Sequence, residues 1–177
     1  IITKYIRKWK LATLEEIKQL TTNKDHIAFA EFILANMHEL DFPDYQKLDL
    51  MQVPHLVRNI WAVDFRNIES NDVSMHFSGT AIDAHYERNI TGKSLRSFYP
   101  EEDYKRNISF YYDAISHKKK VYSKRIIHFS DDYINKQKVV ESLFFPCSNN
   151  QTDINFGIGY TYYSFLDHTI KDQLVKF

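Results

Sequence analysis

Cysteine and long apolar runs are nearly absent from this 177-residue chain. The single Cys147 cannot form an internal disulfide bond, which suits a reducing, cytoplasmic setting. No stretch of about 18 apolar residues is present to span a bilayer, and no charged start followed by an apolar run marks the chain for secretion. We therefore expect a soluble protein with no transmembrane segment.

Charge of one sign is lacking as well, because 23 Lys and Arg residues balance 23 Asp and Glu residues. A neutral chain has no long-range field that would collect phosphate groups or acidic lipids, so nucleic acid is not an expected partner. Glycine is scarce, with four residues, whereas 13 Phe and 12 Tyr belong to a chain that is 44% hydrophobic. This length and composition predict one domain with an aromatic-rich core.

The two ends of the chain are predicted to be additions to that domain. Residues 1–24 form an N-terminal extension that begins with apolar and basic side chains at helical spacing. Such a segment, at residues 1–10, can pack on its own domain, dock on a partner or lie on a membrane surface. Residues 25–47 hold an N-terminal helix with one apolar stripe, which we expect to pack on the core. Residues 168–177 are expected to be a C-terminal tail.

The middle of the chain has the pattern of a sheet interrupted by helices. Alternating or short apolar runs predict five strands, at about 60–65, 73–78, 121–129, 138–146 and 155–163. Between the second and third strands, residues 79–100 hold turns and short helices, with Gly92 free to take a positive φ. Pro100 then opens a longer helix with three acidic residues in its first turn. This order predicts one antiparallel sheet in an α+β fold.

This order of helices and strands resembles that of PAS domains. In addition, three blocks of residues resemble the PAS_5 family, which is bacterial and mainly proteobacterial. The blocks are 48–65, with Pro54-His55-Leu56; 75–95, with Gly79-Thr80 and Thr91-Gly92; and 140–146. The family usually has Arg at the position of Ala81 and Gly at the position of Glu87. A ligand contact from that arginine is therefore not expected in this chain.

The resemblance implies a fold and a function. The fold is a PAS-like five-stranded antiparallel sheet in a domain at residues 48–167, with the helical insert on one face, plus N-terminal helices. The function is that of a sensory or regulatory protein of signal transduction, which binds a small ligand, a protein partner or both and which forms a homodimer.

Two other classes of function remain open. One is a ligand-free protein-docking domain, and the other is a small-molecule enzyme with a cupped α+β fold. The chain contains no Gly-x-Ser-x-Gly, no Gly-rich phosphate loop and no His-Glu-x-x-His motif, so no catalytic residues are predicted. An enzyme on this fold would need Asp83, His76 or Glu141 as its acid or base.

A pocket in this fold would lie between the sheet and the short helices. Its candidate lining residues are Phe77, Ile82, Tyr86, Leu95, Phe98, Tyr111, Ile115, Ile127, Phe144 and Tyr160. Apolar walls with a few hydroxyl groups suit a small organic or aromatic ligand, although the same side chains can also fill the core completely. Gly157 and Gly159 leave one face of the last strand bare, which permits a ligand or a close backbone approach there.

The sequence does not identify a cofactor, and no metal site is predicted. Haem-binding PAS domains take an axial histidine from the long helix or a neighbouring element, so the resemblance makes His117 and His85 the conceivable iron ligands. His117 also suits a solvated position at a helix end. Flavin photochemistry in PAS domains uses a cysteine in the helix after the second strand. Residues 91–99 contain none, so we do not expect that chemistry.

Overall fold

The chain begins with helices and continues as a sheet with a helical insert. The computed structural model describes residues 13–37, 41–70, 72–131, 134–165 and 173–177. Helix α1 covers residues 13–20, α2 Lys24–Ala35, α3 Thr80–His85 and α4 Glu101–Ser116. The strands are β1 Ile60–Asp64, β2 Ser74–Ser78, β3 Val121–Asp131, β4 Ile134–Cys147, β5 Phe156–Phe165 and β6 Gln173–Lys176.

Parts of the chain that the sequence singled out lie outside this description. The basic amphipathic segment at residues 1–10 is one of them. Among the helices of the described residues, none is both long enough and apolar enough to cross a membrane.

The ends of the helices follow from local chemistry. The side chain of Asn23 caps α2 by accepting hydrogen bonds from the backbone N–H groups of Asp25 (2.9 Å) and His26 (3.4 Å). The helix therefore begins at Lys24, one residue before the start of the segment 25–47 that the sequence predicted to hold it. Helix α4 follows Pro100 as predicted, and its acidic first turn faces the positive end of the helix dipole.

All strands join in one sheet of order β2-β1-β5-β4-β3-β6, in which every neighbouring pair is antiparallel. The first strand lies beside the last long strand, since β1 pairs with β5 through partners such as Ile60 and Tyr160, and β2 forms the edge next to β1. The insert packs on one face of this sheet. The predicted α+β fold with a PAS-like antiparallel sheet is therefore confirmed.

The sheet has six strands, however, and not the expected five. The sixth, β6, pairs with β3 from Val121–Lys176 to Lys124–Gln173, within residues that were expected to be a C-terminal tail. A four-residue strand with two apolar residues is too short for its alternation to stand out in the sequence. An ion pair from Lys176 to Asp113 also joins β6 to α4.

The hairpin between β3 and β4 is longer than its apolar residues indicated. The ladder continues to the pair Asp131–Ile134, where the sequence predicted a polar loop at residues 130–136. Backbone hydrogen bonds do not depend on apolar side chains, so a ladder that begins in the core can continue through polar residues.

Both faces of the sheet are covered. On one face, α1 and α2 bury a cluster that includes Ile17, Phe29, Ile33, Leu143, Phe145, Ile158 and Tyr160. On the other, the insert buries a cluster that includes Trp61, Val63, Met75, Ile82, Leu95, Tyr104 and Phe144. Strand β4 lies between the two clusters, so its consecutive residues Leu143, Phe144 and Phe145 are all buried.

A buried polar contact holds α2 on the sheet. The Nε2 atom of His26 lies 3.0 Å from the backbone oxygen of Glu141 on β4. The Glu141 carboxylate accepts hydrogen bonds from the Tyr122 hydroxyl (3.0 Å) and from the Thr21 hydroxyl. Burial lowers the pKa of His26, against an opposing attraction from Glu141. The helix therefore docks with a neutral imidazole.

Three described residues other than glycine have a positive φ: Glu87, Lys118 and Gln151. Glu87, just after α3, has φ +55°, in the left-handed region that favours glycine. It stands where the PAS_5 family usually has Gly. The predicted positive φ at Gly92 is confirmed, at +75°. The turn at Glu87 thus retains the backbone that a glycine would adopt freely.

The variant Glu87→Gly should be more stable than the wild type. Removing the Cβ relieves the left-handed strain, and we expect the free energy of unfolding to rise by about 1 kcal/mol in urea denaturation. The matched control is Glu87→Ala, which also removes the carboxylate but keeps the Cβ and should give no such gain. Equal stabilities of the two variants would contradict this explanation.

Neutral His26 makes stability depend on pH. The pKa of His26 is lowered in the folded protein, so the unfolded chain, with an ordinary value of about 6.5, takes up the proton first. The free energy of unfolding should therefore decrease as the pH falls below about 6.5. An NMR titration of the folded protein should place the His26 midpoint below 6.5, with His26→Gln identifying the signal. A midpoint at or above 6.5 would disprove that burial lowers the pKa of His26.

Candidate ligand-binding site

A cavity of about 690 Å³ lies between the sheet and the helical insert. Small-molecule sites in proteins commonly measure about 300–1,000 Å³ and have mostly apolar walls. The wall on the sheet side is formed by β1, β3, β4 and β5, and the opposite wall by α3, α4 and the chain between them. The predicted position of a pocket thus coincides with a real hollow.

Six of the ten predicted lining residues border this cavity. They are Ile82, Tyr86, Phe98, Tyr111, Ile127 and Phe144. Leu95 and Ile115 belong to the same core cluster but lie behind the cavity wall. Phe77 and Tyr160 pack with the cluster under α1 and α2, on the other face of the sheet. On β5 the cavity side belongs to Thr161 and Tyr163, because alternate residues of a strand point to opposite faces.

The two glycines of β5 make room for aromatic rings. The indole of Trp61 and the ring of Phe144 stack with centroids 5.7 Å apart and planes 16° apart. A Cβ atom added to Gly159 would overlap the Trp61 ring, and one added to Gly157 would overlap the Phe144 ring. The bare face of β5 is therefore occupied by side chains of this protein and not left open for a ligand.

Next to these rings, the sheet presents a row of hydroxyl groups to the cavity. The Trp61 Nε1–H donates to Thr161 Oγ1 over 2.8 Å, and Thr161 Oγ1 lies 2.8 Å from Ser142 Oγ. Ser123 is the register partner of Ser142 on β3. Thr161, Ser142 and Ser123 all line the cavity, so its floor can donate and accept hydrogen bonds.

The aromatic groups of the cavity are uncharged near neutral pH. Burial raises the pKa values of Tyr86, Tyr99, Tyr111 and Tyr163 above their ordinary range. The His85 ring stacks on Tyr163 with centroids 4.4 Å apart, and burial lowers the pKa of His85 to about 4. Charge in the cavity is therefore carried by Asp103, Arg106 and Arg125.

The three residues that the sequence suggested as the acid or base of an enzyme lie elsewhere. The Asp83 carboxylate accepts hydrogen bonds from the Ser78 hydroxyl and from the Ile90 backbone N–H (3.1 Å), so it holds the turns around α3. The His76 ring packs against Tyr45 and Phe156. Glu141 faces α2, as described above. None of these three candidates borders the cavity.

The two candidate iron ligands are not brought together. His85 borders the cavity, whereas His117 ends α4 with an exposed ring whose Nδ1 lies 2.9 Å from the Asp113 backbone oxygen. Within the described ranges, no three His, Cys, Asp or Glu side chains converge to hold a metal ion. Cys147 is buried in the cluster under α1 and α2, so its thiol does not suit a covalent adduct with a flavin in this cavity.

Sequence reasoning missed the polar part of the site. Ser123 and Arg125 alternate with Lys124 on β3, and Ser142 lies between Glu141 and Leu143 on β4. Their period of two predicts which of them share a face. That this face of β3 is the buried one could be inferred only from the apolar residues Val121 and Ile127, which lie on the same face as Ser123 and Arg125.

No protein-family model matches the sequence, so membership of the PAS_5 family stays a prediction, and no curated protein matches it either. The solved structures with similar folds include LOV domains. One, from an Erythrobacter litoralis blue-light activated histidine kinase, is 14% identical over 60% of this chain and 95% of that chain, with a TM-score of 0.42.

Two further structures are of the Aureochrome1 LOV photoreceptor. Its dark structure is 15% identical over 71% of this chain and 87% of that chain, with a TM-score of 0.44. Its light-state structure is 11% identical over 66% of this chain and 89% of that chain, with a TM-score of 0.41. Identities and scores at this level carry no argument about function.

The variant Gly159→Ala should destabilise the wall of the cavity. The added methyl group overlaps the Trp61 ring, which its hydrogen bond to Thr161 holds in place. We expect the free energy of unfolding to fall by about 2 kcal/mol, with a changed near-ultraviolet circular dichroism signal of tryptophan. Gly92→Ala, where an added Cβ meets nothing within 4 Å, should lose only about 1 kcal/mol from its positive φ. A Gly159→Ala protein as stable as the wild type would contradict this packing.

Proposed function

We propose that this chain is a PAS-type sensory module of signal transduction that binds a small organic ligand in the cavity between sheet and insert. The cavity itself carries the proposal. The described chain is rich enough in aromatic residues to fill its core, yet a hollow of about 690 Å³ remains next to a row of hydroxyl groups. Apolar walls with a few directed polar groups are what small-molecule sites have in common.

The sheet offers a route by which an occupied cavity would affect the surface. Ser142 borders the cavity, while the adjacent Glu141 contacts His26 and Thr21 on the other face. A ligand that shifts β4 by a few tenths of an ångström would therefore act on the contacts that hold α1 and α2. The signal in this proposal is a change in the population of docked and displaced helices.

The finer parts of the proposal rest on the family resemblance. A homodimer, a downstream protein partner and membership of the PAS_5 family remain predictions. Haem and flavin are two candidate ligands of the cavity, and either of them would colour the purified protein.

The test is native mass spectrometry and absorption spectroscopy of the full chain purified from cells. We expect the wild type to retain a small molecule, or to gain thermal stability from one member of a library of metabolites and cofactors. Ser142→Phe places a ring in the cavity and should abolish that effect. The matched control, Ser164→Phe, adds the same ring to β5 at a position of the opposite parity and should retain it.

A wild type whose mass equals that of the chain alone, and whose melting temperature responds to no compound of the library, would contradict ligand sensing. That outcome would favour the ligand-free docking domain. Loss of binding in both variants would show that the effect is not specific to the cavity.

A further inference from the structure

We infer that the ligand is a planar aromatic monocarboxylate whose carboxylate binds Arg125. This inference deepens the proposed function and depends on the cavity being a ligand site. It starts from the one charged group of the cavity that has no countercharge in the described part of the chain.

Arg125 lies on β3 with its side chain in the cavity wall, and its Nε atom is buried without a hydrogen-bond partner. The position is central, since the register partner of Arg125 is Val140, whose own partner on β5 is Tyr163. An N–H group that is buried without an acceptor destabilises a protein, and more so when the group is charged. Such an arrangement is typical of a group kept for a ligand.

The other charged groups of the cavity do not neutralise Arg125. Asp103 forms an ion pair with Arg106 in the next turn of α4, and their side chains are 39% and 63% exposed, so this pair lies at the rim. Tyr99 and Tyr111 border the cavity, but burial raises their pKa values, so they remain neutral phenols. Counted over the described lining residues, the net charge of the site is therefore +1, which matches a monoanion.

The surroundings of Arg125 fit a carboxylate with a flat body. Ser123 is two residues away on the same face of β3, about 7 Å along the strand, and Ser142 is its neighbour on β4. A guanidinium fork and a hydroxyl group can together satisfy both carboxylate oxygens. Beyond them, the stacked rings of Trp61 and Phe144 form an apolar wall that suits an aromatic ring.

The probes are benzoate, cinnamate and 1-naphthoate, each compared with its neutral carboxamide by isothermal titration calorimetry on the full chain. At least one carboxylate should bind more tightly than its amide. Arg125→Met should weaken carboxylate binding by about 10–100-fold and leave amide binding within about 2-fold. Arg125→Lys keeps the charge but not the fork, and should be intermediate.

The matched control is Arg66→Met, which removes an arginine that is paired with Asp64 outside the cavity and should change carboxylate binding by less than about 2-fold. Folding of each variant is checked by its melting temperature. Without ligand, Arg125→Met should melt at the same temperature as the wild type or a few degrees above it, because a buried N–H group without an acceptor has been removed.

The outcomes separate this inference from the proposed function. If amides bind as tightly as carboxylates, or if Arg125→Met binds carboxylates as the wild type does, the anion assignment is wrong while the cavity remains a ligand site. If no probe binds and Ser142→Phe is equivalent to the wild type in every assay, the cavity proposal fails as well. If Arg66→Met weakens binding as strongly as Arg125→Met, the effect is general charge attraction and the assignment to Arg125 is overturned.

Discussion

The burial of β4 and β5 on both faces is the constraint on which the rest of the structure depends. A sheet that faces water on one side can place any polar residue there, but these strands have helices on each side. Every residue of their central part must therefore be apolar, very small or hydrogen-bonded. Leu143 and Phe145 meet the first condition, Gly157 and Gly159 the second, and Thr161 the third.

The two faces resolve this constraint differently. Under α1 and α2, His26 Nε2 lies at the backbone oxygen of Glu141, and the Tyr122 hydroxyl donates to the Glu141 carboxylate. Under the insert, the Trp61–Phe144 stack fills only one part of the space, and the hydroxyl row with Arg125 borders an open hollow. A core that closes on one side and stays open on the other is suited to sense an occupant and to transmit its presence through the shared strand.

The three classes of function are not equally supported by this arrangement. The acid or base candidates that the sequence suggested for an enzyme, Asp83, His76 and Glu141, hold turns, aromatic contacts and a helix and do not border the cavity. A docking domain without a ligand would not require a polar floor in an interior hollow. The cavity, its apolar walls and an arginine without a countercharge among the described residues together favour the binding of a small molecule.

The sequence alone determined the type and order of the elements, because the alternation at Met75 and the helical stripe from Tyr104 to Ile115 are local patterns. It also indicated Ile82, Tyr86 and Phe144 as neighbours in space. It could not assign Tyr160 to the correct face, extend the hairpin to Ile134 or find β6. Periodicity says which residues share a face, but only the packing of α1 and α2 against one side decided which face is which. The cavity itself depends on how rings from β1 and β4 fit over glycines of β5, and that fit exists only once the strands are side by side.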